Sequence, residues 1–448
     1  MVLFDQTVVA VVLEPMAQGL GLTVSSVQRL VLIYGLSLAS LTAVGVLATR
    51  RFGMVRTFYF GAALFGVASA SCGLAPPGLA AQPFLDSART LQGAGAALML
   101  PVATSAISGI YGERERARAL TLYAGVAQIF FVLGPVAGGL LTHTLGWRSV
   151  FFVNLPLSAA TAWMITHSRL HGAPAGGSLP VRQPLLVVSA LALTVLGLYQ
   201  CGIWGVTDPK TVALLTTGIL LLTLCVGILL RSPCPLLEVR LLRVRATAVP
   251  MALTFLIQAA QLIVIVHGAV YLRHVTNLSA VRAGAGLLSL VAALAIGTSL
   301  SGYVLDLFGS VTVPVLGGLG IACLGMAAWA VGMRTHDALW QVPGMLGVGL
   351  GIGLPVPTLS SVIMGSVGAA NYTGASVLRQ TLRQLGGAVG IATAGAVVLA
   401  TNPQSLNAAG VVSASAAEAG ILVAGPFLAI ALLVATALPT RAGRPRAG

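Results

Sequence analysis

Charged residues are scarce in this sequence of 448 amino acids. Asp, Glu, Lys and Arg together make up 8% of it, whereas soluble domains carry about a quarter. Hydrophobic residues reach 57%, and the mean hydropathy is +0.97. This composition excludes a soluble globular protein and predicts an all-α polytopic membrane protein. Because only 10 residues are acidic, each acid within an apolar run is a candidate functional residue.

The chain also lacks the patterns that hold metals or carry out catalysis. Its 5 cysteines are scattered without a CxxC or Cys/His ligand spacing, and its 6 histidines form no cluster. Neither a metal site, a disulfide framework nor a cofactor is predicted. No phosphate loop or nucleophile–base constellation is present, so we do not expect an enzyme. We also expect no cleavable signal peptide, because residues 1–13 lack a basic segment and contain Asp5.

Apolar runs of about twenty residues, separated by charged or Gly/Pro-containing breaks, predict fourteen membrane spans. The net charge of +14 would suggest a nucleic-acid partner in a soluble protein. With both termini cytoplasmic, however, basic residues outside the spans favour the inner side by about three to one, as the positive-inside rule requires. We therefore expect a multi-pass protein of the cytoplasmic membrane that binds no nucleic acid.

Two short predicted inner loops resemble each other. Gly45-Val-Leu-Ala-Thr-Arg-Arg-Phe-Gly53 follows the second span, and Gly302-Tyr-Val-Leu-Asp-Leu-Phe-Gly309 follows the tenth. The echo predicts two six-helix bundles, residues 1–170 and 232–448, with two inserted helices in residues 171–231. Repeated halves around a central pathway are typical of secondary transporters.

The fifth predicted span, residues 122–141, contains Gly134, Pro135, Gly138 and Gly139. Pro135 has no N–H, so the carbonyl of Phe131 loses its helical partner and the helix can bend there. Gly134 and Gly138 lie on one face and allow a second backbone to approach closely. Taken alone, the pattern favours an ordinary packing face over a functional seam.

Several motifs, in order along the chain, resemble the fourteen-helix drug/proton antiporter branch of the major facilitator superfamily. In the first half they are Phe4-Asp-Gln-Thr-Val-Val9, Arg89-Thr-Leu-Gln-Gly-Ala-Gly95, Gly134-Pro-Val-Ala-Gly138-Gly139 and Trp147-Arg-Ser-Val-Phe-Phe-Val-Asn154-Leu-Pro156. In the second half they are Pro235-Leu-Leu-Glu-Val-Arg240 and Arg383-Gln-Leu-Gly-Gly387.

The resemblance implies alternating access of two bundles and exchange of inward protons for an outward small amphipathic compound, by an expected monomer in the lipid bilayer. It implies proton coupling through Asp5 and Arg89, and an antiporter motif formed by the fifth-span glycines and Pro135. It implies gating or structural roles for the residues Gly93, Arg51, Gly53, Asp306 and Gly309.

Three departures from the family pattern stand out. Arg50 replaces the acid expected before Arg51, and Leu307 stands where the second-half echo usually has Arg, so the inner gate must be held differently. Asp5 lies close to the start of the sequence. Glu14 and Arg29 replace a common Pro and Trp, and from this we predict an ion pair between them.

Each candidate coupling residue has an alternative interpretation. Asp5 in an apolar cavity could take up a proton, because desolvation disfavours the charged form, or it could be a helix-end acid in interfacial water. Arg89 could serve a proton relay or simply pair with Asp86 one turn earlier. Arg379 and Arg383 are predicted as anchors at an inner helix end, and Gln258, Gln261 and His267 either face the pathway or bond neighbouring helices.

Two other functions remain open at this point. One is import of a small metabolite with protons, against which the Gly134-Pro135 motif argues by resemblance. The other is a non-transporting membrane receptor or scaffold, which the altered first loop would suit.

Overall fold

The computed structural model describes residues 1–110, 113–166, 182–205, 207–232, 237–274, 280–335, 338–367, 372–401 and 413–438, and these form helices with short connections. The first helices are α1 Val2–Leu20, α2 Val24–Phe52, α3 Met54–Gly73, α4 Ala81–Ile110, α5 Glu113–Leu145, α6 Ser149–Phe152 and α7 Asn154–Thr166. The middle of the chain contains α8 Arg182–Trp204, α9 Pro209–Arg231 and a 3₁₀ helix, Val239–Arg243. The remaining helices are α10 Arg245–His274, α11 Ala280–Phe308, α12 Thr312–Thr335, α13 Ala338–Gly353, α14 Pro355–Gly365, α15 Tyr372–Thr401, α16 Ala414–Leu422 and α17 Ala424–Ala435.

Three helical stretches are interrupted by a single residue: α6 and α7 at Val153, α13 and α14 at Leu354, and α16 and α17 at Val423. In each case a proline lies in the first turn of the second helix, where its missing N–H is tolerated. These prolines are Pro156, Pro355 and Pro426.

The helices pack in two groups that meet along several seams. In the first group α1 packs on α5, and α4 on α2 and α3; in the second, α10 packs on α15 and α17, and α13 on α11 and α12. Between the groups, α2 contacts α15, α5 contacts α11, and α1 contacts α10. Helix α8 packs on α9, α2 and α15, so the predicted inserted pair lies beside the α2–α15 seam. The exact boundaries at residues 170 and 231 stay a prediction.

Apolar side chains cover the outside of the bundle. Leu220 on α9, Leu324 on α12 and Leu433 on α17 are 68%, 74% and 70% exposed, as expected for helices that face lipid rather than water. Within the described residues, nine stretches are long and apolar enough to cross a membrane. The all-helical membrane fold is confirmed, whereas the number of fourteen crossings stays a prediction.

Both echoed loops follow a helix with a glycine at positive φ. Gly53 follows α2 with φ +85°, and its N–H donates to the Thr49 carbonyl at 3.0 Å. Gly309 follows α11 with φ +59°, and its N–H donates to the Leu305 carbonyl at 2.9 Å. A positive φ is strained for residues with a Cβ, so glycine allows the sharp exit from both helices.

Candidate functional site

Asp5 and Arg89 form a fully buried ion pair between α1 and α4. Arg89 Nη1 lies 2.8 Å from Asp5 Oδ2, and neither side chain is exposed. Although Asp5 stands in the first turn of α1, it is not a helix-end acid in interfacial water in this structure. The local alternative, a pair between Arg89 and Asp86, is also excluded, because each of these residues has a different ionic partner.

The second oxygen of Asp5 accepts hydrogen bonds from two amides. Gln92 Nε2 donates to Oδ1 at 3.0 Å, and Asn154 Nδ2 donates to the same atom at 3.1 Å. Both amide nitrogens also lie within reach of the Ser69 hydroxyl, at 3.3 and 3.0 Å. The carboxylate therefore draws donors from α4 and α7 in a site without exposed atoms.

Arg89 is held by further contacts that fix its plane. Its Nη1 also donates to Gln92 Oε1 at 2.6 Å, and its Nε donates to the Leu30 carbonyl at 3.3 Å. The guanidinium carbon lies 4.4 Å above the Tyr34 ring, within the range of a cation–π contact. Gly93, one turn on, allows α4 to lie this close to α2, because a Cβ there would be 2.7 Å from the Tyr34 carbonyl oxygen.

In this arrangement, a proton bound to Asp5 would weaken the contacts that hold α1 against its neighbouring helices. The site offers a carboxylate one guanidinium and two amide donors. A proton on the carboxyl group would remove both the negative charge that pairs with Arg89 and one acceptor position. Since the partners lie on different helices, protonation would weaken the link of α1 to α4 and α7.

The fifth-span motif packs directly against the same segment of α1. Thr7 Oγ1 lies 3.1 Å from the Phe131 carbonyl oxygen, the acceptor that Pro135 cannot serve. A Cβ at Gly134 would lie 1.9 Å from Thr7 Oγ1, and one at Gly138 would lie 2.8 Å from Val8 Cγ2. The glycines therefore permit close approach of α5 to α1, and Gly139 is buried beside them.

The predicted pair of Glu14 and Arg29 is wrong. Arg29 Nη2 lies 2.6 Å from Asp86 Oδ2, and Gln82 donates to the other oxygen of Asp86 at 2.8 Å. Glu14 instead accepts a hydrogen bond from Gln18, one turn along its own helix, at 3.1 Å. The reason is that the first turns of α4 pack against α2 and bring Asp86 to Arg29.

The two loop residues assigned to gating, Arg51 and Asp306, are both exposed. Among the residues that the structure describes, ion pairs within 4.0 Å join only Arg29 to Asp86 and Arg89 to Asp5. Arg51 and Asp306 therefore form no ion pair with another residue whose side chain the structure describes.

Polar residues of the second half gather around Gln258 of α10. Arg383 Nε donates to Gln258 Oε1 at 2.7 Å. Both residues line a small cavity together with Arg379, Thr254 and apolar side chains of α10 and α14. Gln261 and His267 are buried further along α10. Gln258 therefore bonds a neighbouring helix and faces a cavity at the same time.

Sequence reasoning missed the roles of Asn154, Ser69 and Thr7. Asn154 lies in a motif that was recognised as a match, but no spacing relates it to Asp5. A fully buried amide within an apolar helix was the available signal, because such a group needs a hydrogen-bond partner. The described residues contain no group of three or more His, Cys, Asp or Glu side chains that could hold a metal ion.

Comparisons with known proteins agree with this architecture. The sequence model of the Major Facilitator Superfamily matches residues 1–391. The Tetracenomycin C resistance and export protein of Streptomyces glaucescens is 31% identical over 89% of this chain and 73% of its own length. The Methylenomycin A resistance protein of Bacillus subtilis is 28% identical over 89% of this chain and 85% of its own length.

Solved transporter structures share the fold. The xylose transporter XylE from E. coli, in a partially occluded inward-open conformation, superposes with a TM-score of 0.66 at 15% identity, covering 99% of this chain and 96% of that one. A D-xylose-proton symporter gives 0.67 at 13% identity, covering 98% and 95%. At these identities the likeness concerns the fold alone.

Proposed function

Since this chain belongs to the Major Facilitator Superfamily, we propose that it exports a small amphipathic compound, such as an antibiotic, across the cytoplasmic membrane in exchange for protons. Relatives named for resistance to or export of tetracenomycin C, methylenomycin A and puromycin support the direction and the substrate class. The observation that carries the proton coupling is the buried Asp5–Arg89 pair.

In the proposed cycle, Asp5 takes up a proton on one side of the membrane and releases it on the other. While Asp5 is charged, Arg89, Gln92 and Asn154 hold α1 in place. When Asp5 is neutral, Arg89 loses its counter-ion and α1 is released to move. No other described acid lies within ion-pair distance of Arg89, so the proton and the position of α1 are linked through one carboxyl group.

The fifth helix carries no proton in this proposal but transmits the movement. Its Gly134 and Gly138 face α1 at Thr7 and Val8, two and three residues beyond Asp5. On its other side α5 contacts α11 of the second half. A shift of α1 therefore reaches the seam between the halves through α5.

The remaining sequence assignments are part of the same proposal. Gly93 maintains close packing of α2 and α4, and Gly53 and Gly309 form the loop turns. Arg51 and Asp306 would act at the inner face in another conformation of the cycle. The protein works as a monomer with both termini cytoplasmic.

Everted membrane vesicles test direction and coupling together. With tetracenomycin C, methylenomycin A and puromycin as probes, we expect the full chain to accumulate at least one of them inside vesicles acidified by respiration. Asp5→Asn should abolish this accumulation while retaining exchange of labelled against unlabelled compound in the absence of a pH gradient. Retained exchange shows that the variant is folded and still binds its substrate.

Two results would contradict the proposal. If the Asp5→Asn variant accumulates the compound as well as the wild type does, Asp5 does not couple proton movement to export. If the compound moves only from the vesicle lumen to the outside, the protein is an importer, because this direction corresponds to uptake into the cell.

A further inference from the structure

The hydroxyl group of Ser69 on α3 lies at the centre of the contacts around Asp5. It donates to the Phe151 carbonyl oxygen of α6 at 2.9 Å. The amide nitrogens of Gln92 and Asn154 lie 3.3 and 3.0 Å from the same hydroxyl oxygen. A hydroxyl group has one proton and two lone pairs. Because a carbonyl only accepts, the Ser69 proton points to Phe151, and its two lone pairs are left for the two amides.

This direction of the Ser69 hydroxyl determines which end of each amide faces Asp5. The lone pairs of Ser69 require N–H donors, so both amides turn their nitrogen ends toward it. The same nitrogens of Gln92 and Asn154 donate to Asp5 Oδ1 at 3.0 and 3.1 Å. An amide nitrogen carries two N–H donors. Each amide therefore uses one donor on Ser69 and the other on the carboxylate, and all four side chains are buried.

The two amides differ in what else holds them. Gln92 Oε1 lies 2.6 Å from Arg89 Nη1, and a guanidinium only donates. Arg89 therefore fixes the orientation of Gln92 independently of Ser69. Asn154 Oδ1 is buried and has no hydrogen-bond partner among the residues that the structure describes. Apart from Asp5 itself, Ser69 is thus the group that orients the amide of Asn154.

We propose that Ser69 is a positioning residue that prevents Asn154 from turning its oxygen toward a protonated Asp5. The side-chain contacts described for Asp5 are all donors, so the O–H of the protonated acid would meet no acceptor among them. If Asn154 turned over, its Oδ1 would accept this proton and keep α7 bound to α1. With Ser69 present, the turn would set that oxygen against a lone pair and lose a hydrogen bond. The inference rests on the proposed proton coupling through Asp5.

Infrared spectroscopy of the purified full chain measures the proton on Asp5 without substrate or gradient. The carboxylic-acid C=O band that Asp5→Asn removes is followed against pH. In Ser69→Ala, we expect its pH profile to move about one unit toward higher pH, because Asn154 can then accept the proton; this is a roughly tenfold tighter hold on the proton. Ser71→Ala is the matched control, since Ser71 donates to the Val67 carbonyl within α3 at 2.9 Å. Its profile should equal that of the wild type.

Other titratable groups near Asp5 are the same in all these variants. Among the described residues they are Arg89 of α4, Tyr34 of α2, Cys72 of α3 and the amino group of Met1. A difference between the profiles of two variants is therefore due to the substituted side chain.

A double-mutant cycle separates the orientation of Asn154 from a general change in packing. Asn154→Ala removes one donor to the charged carboxylate, so its profile should itself move toward higher pH. Adding Ser69→Ala to this variant should cause no further shift, because Ser69 acts through Asn154. A further shift as large as that of Ser69→Ala alone, or an unshifted profile in Ser69→Ala, overturns the proposal.

Ser69→Cys keeps the test available if the alanine variant does not fold. It retains the size of the side chain, but a thiol is a weak donor and a weak acceptor. Its profile should again move toward higher pH, and an unchanged profile overturns the proposal.

The wild-type profile separates this inference from the export proposal. If the Asp5 band follows pH but is the same in the Ser69 variants, coupling through Asp5 stands and the role given to Ser69 is wrong. If Asp5→Asn removes no band that follows pH, Asp5 takes up no proton, and both proposals fail.

Discussion

The arginines inside the two halves of the protein have different surroundings. In the first half, Arg89 is fully buried and has a carboxylate at 2.8 Å, although its Nη2 has no hydrogen-bond partner among the described residues. In the second half, Arg383 meets the neutral amide of Gln258, and the site opens into a cavity. The first half supplies a carboxylate counter-ion for its arginine, and the proposed proton coupling depends on this pair. In the other half, the guanidinium of Arg383 donates to a neutral amide.

The largest expected effect on stability comes from removing one member of the hydrogen-bonded pair in each half. Arg89→Met leaves Asp5 buried without its cation, which costs about 3–5 kcal/mol. Gln258→Leu removes the acceptor of the Arg383 Nε hydrogen bond. Because Arg383 still borders a cavity, this change should lower the free energy of unfolding by about 1–3 kcal/mol. Unfolding in mixtures of SDS and mild detergent measures both. Equal losses of unfolding free energy in the two variants would mean that the Asp5–Arg89 pair is no better shielded from water than the contact of Arg383 with Gln258.

A smaller effect on stability, but a full loss of coupling, is expected at the α1–α5 contact. Gly138→Leu would place side-chain atoms where Val8 already lies, and overpacking costs about 1–3 kcal/mol. Coupled efflux in everted vesicles should be abolished although every acid is intact. Gly302→Leu, at an exposed second-half position with no atom within 4 Å of the added Cβ, is the control. Retained efflux in Gly138→Leu would show that close contact of α5 with α1 is not needed.

Two threonines, one in each half, test whether a hydrogen bond between helices contributes more to stability than one within a helix. Thr7→Val leaves the Phe131 carbonyl without its donor in a buried contact, at a cost of about 1–3 kcal/mol. Thr254 donates to the Pro250 carbonyl within its own helix at 2.8 Å, and that carbonyl keeps its usual helical donor. Thr254→Val should therefore cost less than about 1 kcal/mol. The same unfolding assay checks both, and a Thr254→Val effect as large as that of Thr7→Val would refute the distinction.

The sequence was sufficient for the helices and the motif positions because apolar length, proline and glycine act locally. It placed α1, α4 and α5 close to their observed bounds, and it identified the Phe131 carbonyl as lacking a helical partner. Partners across helices depend instead on how the bundles pack. Asp5 and Arg89 are 84 residues apart, and nothing in their spacing distinguishes that pair from Asp86 with Arg89.

The incorrect prediction of a Glu14–Arg29 ion pair shows the same limit, that contacts between helices cannot be read from the sequence. Glu14 and Arg29 are near each other in the chain and opposite in charge, yet the contact of α4 with α2 gives Arg29 to Asp86. The role of Arg379 and Arg383 as anchors at an inner helix end stays a prediction. Both arginines lie on α15, which begins at Tyr372, and the apolar stretch of this helix begins at Gly374.

The position of Thr7 has a consequence for how α1 and α5 separate. Its hydroxyl also lies 3.2 Å from the Phe4 carbonyl and 3.3 Å from that of Leu3, both in its own helix. When α5 withdraws, rotation of this hydroxyl can keep one hydrogen bond, so Thr7 loses little. The Phe131 carbonyl cannot regain a helical donor from Pro135, so after separation water would take the place of Thr7. Separation of these helices would then require wetting of the cleft between them, which makes hydration part of the opening step.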